Sequence, residues 1–195
     1  MIDPAAGLIR LLQALDLLGI HYMVGGSGAS SVYGIWRTTG DIDIVARIGP
    51  DDIEPLAGEL QRDFYVDAGQ IRMAIDAGRS FNVIHLPSSY KFDIFPLTSD
   101  RYQQVQFGRR RLEQANVFGT ESIEFAVAAA EDVILSKLRW YRMGGETSAQ
   151  QWNDVLGVIS VQRDRLDLGY LREWARYLNV DDLLEQALSE RHEPL

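Results

Sequence analysis

The chain has 195 residues and a mass of 22.0 kDa, enough for one domain with a sizeable core. With 46% hydrophobic and 24% charged residues, its composition excludes a disordered, collagen-like or coiled-coil chain. The absence of cysteine excludes a disulfide framework, a thiol nucleophile and cysteine-ligated zinc. A net charge of -9 argues against a protein that coats nucleic acid and suits a site that gathers carboxylates around divalent cations. Neither a signal peptide nor a bilayer-spanning run is evident, so a cytoplasmic protein with no membrane partner is expected.

Taken in chain order, apolar residues at helical spacing predict a helix over Ile9 to Leu18, ended by Gly19. His21 to Val24 reads as a short buried strand. Gly25 and Gly26 make a turn, and Ser27 opens a short helix to about Tyr33. A loop follows from Gly34 to Gly40, and Asp41 to Arg47 alternates as a strand does. Asp51 to Arg62 reads as a helix, Phe64 to Val66 as a strand and Gln70 to Ala77 as a helix. Phe81 to Leu86 and Lys91 to Phe95 are further strands. Between Ser99 and Phe125 a short helix and one or two strands are expected. Four helices then follow: Ala130 to Met143, Ser148 to Val161, Leu168 to Leu178 and Val180 to Leu188. The expected fold is α/β: a mixed-sheet core with flanking helices over residues 1–128, then a C-terminal helical segment over 129–195 packed on it.

One constellation carries chemistry. Residues two apart in a strand share a face, so Asp41 and Asp43 project side by side with Ile42, Ile44 and Val45 around them. Adjacent carboxylates repel, and a divalent cation removes that cost. Magnesium favours a few carboxylates together with substrate phosphates. Asp93 interrupts an otherwise apolar strand, where a carboxylate needs a partner. Beside Asp41 and Asp43 it would complete a site for two Mg²⁺ or Mn²⁺ ions of the kind that serves phosphoryl or nucleotidyl transfer. Upstream, Gly25 and Gly26 lie between a strand and a helix, where backbone N–H groups can approach a phosphate. Ser27 adds a hydroxyl. Phosphates at Ser27 and metal at the aspartates would together hold a nucleoside triphosphate.

These residues resemble the motif of the nucleotidyltransferase superfamily that includes DNA polymerase β and the minimal nucleotidyltransferases. In that family a Gly-Gly or Gly-Ser pair precedes Asp-x-Asp on a strand, and a third acid follows on a later strand. Here the pattern falls on Gly26-Ser27, Asp41, Asp43 and Asp93, with residues 28–40 as a long spacer. The resemblance implies metal-ligand and catalytic roles for the three aspartates and phosphate binding at Gly26 and Ser27. The run Arg37-Thr38-Thr39-Gly40-Asp41-Ile42-Asp43 is similar to that of the abortive-infection toxin nucleotidyltransferases. That likeness implies nucleotide-binding roles for Lys137 and Asp154, with Arg37 on phosphate or on the acidic pair. It also implies tRNA or a protein side chain as acceptor, and a cognate antitoxin. Lys137 and Lys91 are the two lysines of the chain.

Plainer readings stand beside these. Asp41 and Asp43 could be a solvated strand face, and Lys137 an amphipathic-helix lysine reaching for water. Asp154 could be a solvated helix residue or pair with Arg139. Arg109, Arg110 and Arg111 read as a solvated face, with contact to acceptor RNA as the alternative, and Trp36, Trp140, Trp152 and Trp174 as core. His21, His85 and His192 show no metal-ligand spacing. Gly26 to Ser31 lacks the third glycine of a dinucleotide fingerprint, and Gly25 to Ala29 lacks the last glycine of a nucleophile elbow. The leading expectation is transfer of a nucleoside monophosphate to an acceptor hydroxyl on RNA, protein or a small molecule, with release of pyrophosphate. A non-catalytic nucleotide- or partner-binding module and a kinase using the same site are the alternatives.

Overall fold

The computed structural model describes residues 4–35, 40–115 and 122–190. Helix α1 (Pro4–Leu17) buries Leu8, Leu11, Leu12 and Leu15 along one stripe. It starts earlier than the apolar spacing predicts. Pro4 suits a first helical turn, and within the helix Gly7 packs against the His85 ring, from which a Cβ would lie 2.8 Å away. Gly19 ends it with φ of +67°, a conformation glycine adopts without strain.

Strand β1 (Tyr22–Val24), helix α2 (Gly26–Tyr33) and strand β2 (Asp41–Ala46) follow. A 3₁₀ turn at Pro50–Asp52 leads into α3 (Ile53–Leu60), where the sequence suggests one longer helix. Then come β3 (Phe64–Tyr65), α4 (Ala68–Asp76), β4 (Phe81–His85) and β5 (Tyr90–Pro96). Helix α5 (Arg101–Gly108) and the strands β6 (Arg111–Ala115) and β7 (Ile123–Val127) fill the stretch with mixed signals. The chain closes with α6 (Ala130–Met143), α7 (Ala149–Gln162), α8 (Leu168–Tyr177) and α9 (Asp181–Ser189). Side-chain caps at Asp67, Asp100, Ser148 and Asp167 set the starts of α4, α5, α7 and α8. Among the described residues no helix is long and apolar enough to cross a membrane.

The seven strands form one mixed sheet in the order β3-β4-β5-β2-β1-β7-β6. β2 pairs antiparallel with β1 and parallel with β5, and β1 pairs parallel with β7. Alternation works as the sequence implies: Ile42, Ile44 and Ala46 are fully buried on one face, with Phe92 and Ile94 of β5 beside them. Asp41, Asp43 and Val45 occupy the other face of β2. Helices α6 and α7 pack on each other and on α2. The pairings Lys137–Asp154 and Tyr141–Trp152 show that α6 and α7 run antiparallel, turned by Gly144 and Gly145.

Candidate active site

The backbone of β1 delivers Gly25 directly against β2, where its N–H donates to the Asp43 carbonyl at 2.9 Å. Gly26 then opens α2 with φ of +51°. Its missing side chain matters twice: the conformation strains other residues, and a Cβ there would fall on the Asp43 carboxylate. The acid therefore sits against the amino-terminal turn of α2, the positive end of the helix dipole, which favours negative charge.

On the acidic face, in-register parallel pairing sets Asp43 opposite Asp93 and Asp41 opposite Lys91. Burial, reinforced by the Asp41 and Asp93 charges, pushes the Asp43 carboxyl up to about 6; Lys137 and Lys91 oppose the rise. Lys91 Nζ donates to Asp93 Oδ2 at 2.6 Å and lies 3.5 Å from Asp41 Oδ2. The hydrogen bond to Asp93 raises the Lys91 ammonium above its ordinary value. Among the described residues no three His, Asp or Glu side chains are gathered closely enough to hold a metal ion by themselves.

Across the site, Lys137 Nζ donates to Asp154 Oδ2 at 2.7 Å and to Ser27 Oγ at 3.3 Å. The lysine does not reach for water: its side chain is 4% exposed and that of Asp154 7%. Asp154 pairs with Lys137 rather than with Arg139. A buried ion pair of this kind is costly to break from one side, so it fixes the ammonium beside Ser27 and the start of α2.

Gly25, Gly26, Ser27, Asp41, Asp43 and Lys137 line one cavity of about 540 Å³, a size typical of small-molecule sites. Asp93 and Asp154 are not among its lining residues: Asp93 is the register partner of Asp43, and Asp154 the ion-pair partner of Lys137. Arg37, Trp36 and His192 lie outside the described residues. Sequence reasoning missed the opposite wall: Tyr102, Gln103 and Gln106 of α5, and Ser136, Arg139 and Trp140 of α6. Met143, Gln150 and Gln151 extend it along the α6–α7 turn. Trp140 is not core as expected but 55% exposed, because it sits one helical turn beyond Lys137 on the side that meets the cavity. Trp174 is core.

The arginine run also departs from expectation. Arg109 is not part of a solvated face. It donates to Asp132 Oδ2 and Glu131 Oε2, both at 3.0 Å, and its guanidinium lies 3.7 Å from the centre of the Tyr170 ring. Asp132 is fully buried and also accepts from Tyr170 at 2.6 Å and Tyr102 at 3.2 Å. Burial raises the Asp132 carboxyl, and those hydrogen bonds oppose the rise. The knot ties α5 and α8 to α6 and so fixes the missed wall.

No family model matches the chain, and no curated protein matches it. Three solved structures share its fold over nearly its whole length. The solution structure of the antibiotic-resistance factor ANT(2'')-Ia superposes with a TM-score of 0.55 at 12% identity, covering 95% of this chain and all (100%) of that one. ANT(2'')-Ia in complex with adenylyl-2''-tobramycin gives 0.53 at 12% identity, covering 88% and 96%. An antigenic nucleotidyltransferase-like protein from Paracoccidioides brasiliensis gives 0.52 at 18% identity, covering 94% and 91%. At these identities the likeness is one of fold, and it is the fold that the sequence resemblance implies: the chain has a nucleotidyltransferase fold.

Proposed function

We propose that the protein is a nucleotidyltransferase that moves a nucleoside monophosphate from a triphosphate to an acceptor hydroxyl. The observation that carries this reading is the meeting, in one cavity, of Asp41 and Asp43 with Ser27, Lys137 and the amino terminus of α2. The donor chemistry fits a divalent cation at Asp41 and Asp43. Both are hard oxygen ligands on one strand face, and a cation there would offset the burial and the Asp41 and Asp93 charges that raise the Asp43 carboxyl. A Mg²⁺ or Mn²⁺ ion held there would supply Lewis-acid charge to the phosphates.

The chain's own groups account for the rest. Ser27 Oγ and the first N–H groups of α2 bind phosphate oxygens. Lys137, fixed by Asp154, stabilises the charge that grows on the departing pyrophosphate. Asp93, its Oδ2 held by Lys91, takes the proton of the acceptor hydroxyl on Oδ1 as the new O–P bond forms and the bond to pyrophosphate breaks. The acceptor is best read as a small hydroxylated compound. The net charge of -9 and the fold shared with a protein seen with adenylyl-2''-tobramycin support that class over RNA.

The test is label transfer. The protein is incubated with Mg²⁺ or Mn²⁺, cell extract, and α-labelled or γ-labelled nucleoside triphosphates, with Asp41→Ala/Asp43→Ala as control. Label from the α position that vanishes in the control supports the proposal. Label from the γ position alone makes the protein a kinase, and no transfer by a folded protein leaves a nucleotide-binding module.

A further inference from the structure

On the acidic face β2 and β5 set four side chains at the corners of a rectangle: Asp41 opposite Lys91, and Asp43 opposite Asp93. Three corners are carboxylates and the fourth is an ammonium. Lys91 Nζ bridges Asp93 Oδ2 at 2.6 Å and Asp41 Oδ2 at 3.5 Å. That is the ground a second divalent ion would need if it were shared between Asp41 and Asp93. We propose that Lys91 stands in for the second metal ion, so that this site works with one divalent cation, at Asp41 and Asp43. The inference rests on the nucleotidyl-transfer reading and deepens it.

Three observations support it. The first is charge. Three carboxylates less one ammonium leave two negative charges, which one divalent ion neutralises. Lys137 acts on Asp43 as well, but it comes with Asp154 as a buried pair that adds no net charge. The second is placement. Lys91 pairs with Asp41 on β2 and with Ile84 on β4, so its backbone is fixed inside the sheet and its ammonium reaches the acids by register rather than by the chance pose of a loop. The third is the donor set. Among the described residues the acids do not converge as a cage of three, and Lys91 occupies the ground between Asp41 and Asp93. Lys91 is thus a positioning residue: it acts through Asp93 and Asp41, orienting the proton-accepting carboxylate as a metal ion otherwise would.

Counting ions tests this apart from turnover. The full chain is titrated with Mn²⁺ in the presence of each non-hydrolysable α,β-methylene nucleoside triphosphate. Free Mn²⁺ is read by electron paramagnetic resonance, and bound analogue by equilibrium dialysis. The natural protein should bind a single ion per bound analogue. Lys91→Met, at a side chain 41% exposed and checked for folding by circular dichroism, should bind a second ion. Lys91→Arg, which keeps the charge, should return to one. Two ions in the natural protein, or one in Lys91→Met, overturn the proposal. Failure of every analogue to bind overturns the nucleotidyl-transfer reading and this inference with it, and dialysis reports that separately from the ion count.

Discussion

A Cβ built on Gly26 would fall on Oδ2 of Asp43. The glycine is therefore the space in which the acid sits. Gly26→Ala should cost about 1–2 kcal/mol from its backbone conformation alone. It should also push the carboxylate aside, and misplacement by about an ångström can cost about a hundredfold in rate. Thermal unfolding beside kcat/KM for nucleotidyl transfer checks both; a variant of ordinary activity would refute the assignment.

Lys137 and Asp154 are buried against each other. Removing one partner takes the opposite charge away from a buried ion, so Lys137→Met or Asp154→Leu should each destabilise the fold by about 3–5 kcal/mol. The double variant should regain much of that stability and still lack activity, because the ammonium beside Ser27 is gone. Denaturant unfolding of the three variants measures the first effect, and label transfer the second.

Asp43 carries a pH signature. Its carboxyl ordinarily titrates near 3.8 and is pushed up to about 6 in the folded chain. Between those values the folded state holds a proton that the unfolded state has released. Stability without metal should therefore fall as pH rises from about 4 through 6, by up to about 3 kcal/mol. Asp43→Asn should flatten that slope and abolish transfer. Saturating Mg²⁺ should restore stability above pH 6 in the natural protein only. Chemical unfolding across this range, with and without chelator, provides the readout.

Trp140 faces the cavity and is largely exposed. Trp140→Ala should change stability by no more than about 0.5 kcal/mol, yet raise the KM of whichever substrate lies against it severalfold. Substrate titration should also quench Trp140 fluorescence, measured in a variant with the other three tryptophans (36, 152 and 174) replaced by phenylalanine.

What the sequence revealed followed from local periodicity. The alternation from Asp41 to Ala46 told which side chains share a face, and Ile42 and Ile44 are indeed fully buried. The expected bounds of Ala130 to Met143 match those of α6. What it hid depends on partners remote in the chain. Arg109 looked solvated because Glu131, Asp132 and Tyr170 meet it only once α5 and α8 pack on α6. Asp154 finds Lys137 only through the α6–α7 turn. Lys91 was the exception: two residues before Asp93 on one strand, it had to share that acid's face, so its pairing was available from spacing alone.

The sheet topology bears on how the site comes into being. β1–β2, β3–β4, β4–β5 and β6–β7 are antiparallel neighbours, whereas β2–β5 and β1–β7 are parallel seams between segments far apart in the chain. Such seams cannot zip from a turn and form only after long loops close. Asp41 and Asp43 belong to one side of the β2–β5 seam, and Lys91 and Asp93 to the other. Half-folded chains hold the acids in two separate pieces, so catalytic competence arrives only with the completed sheet, and no fragment ending before β5 can carry it.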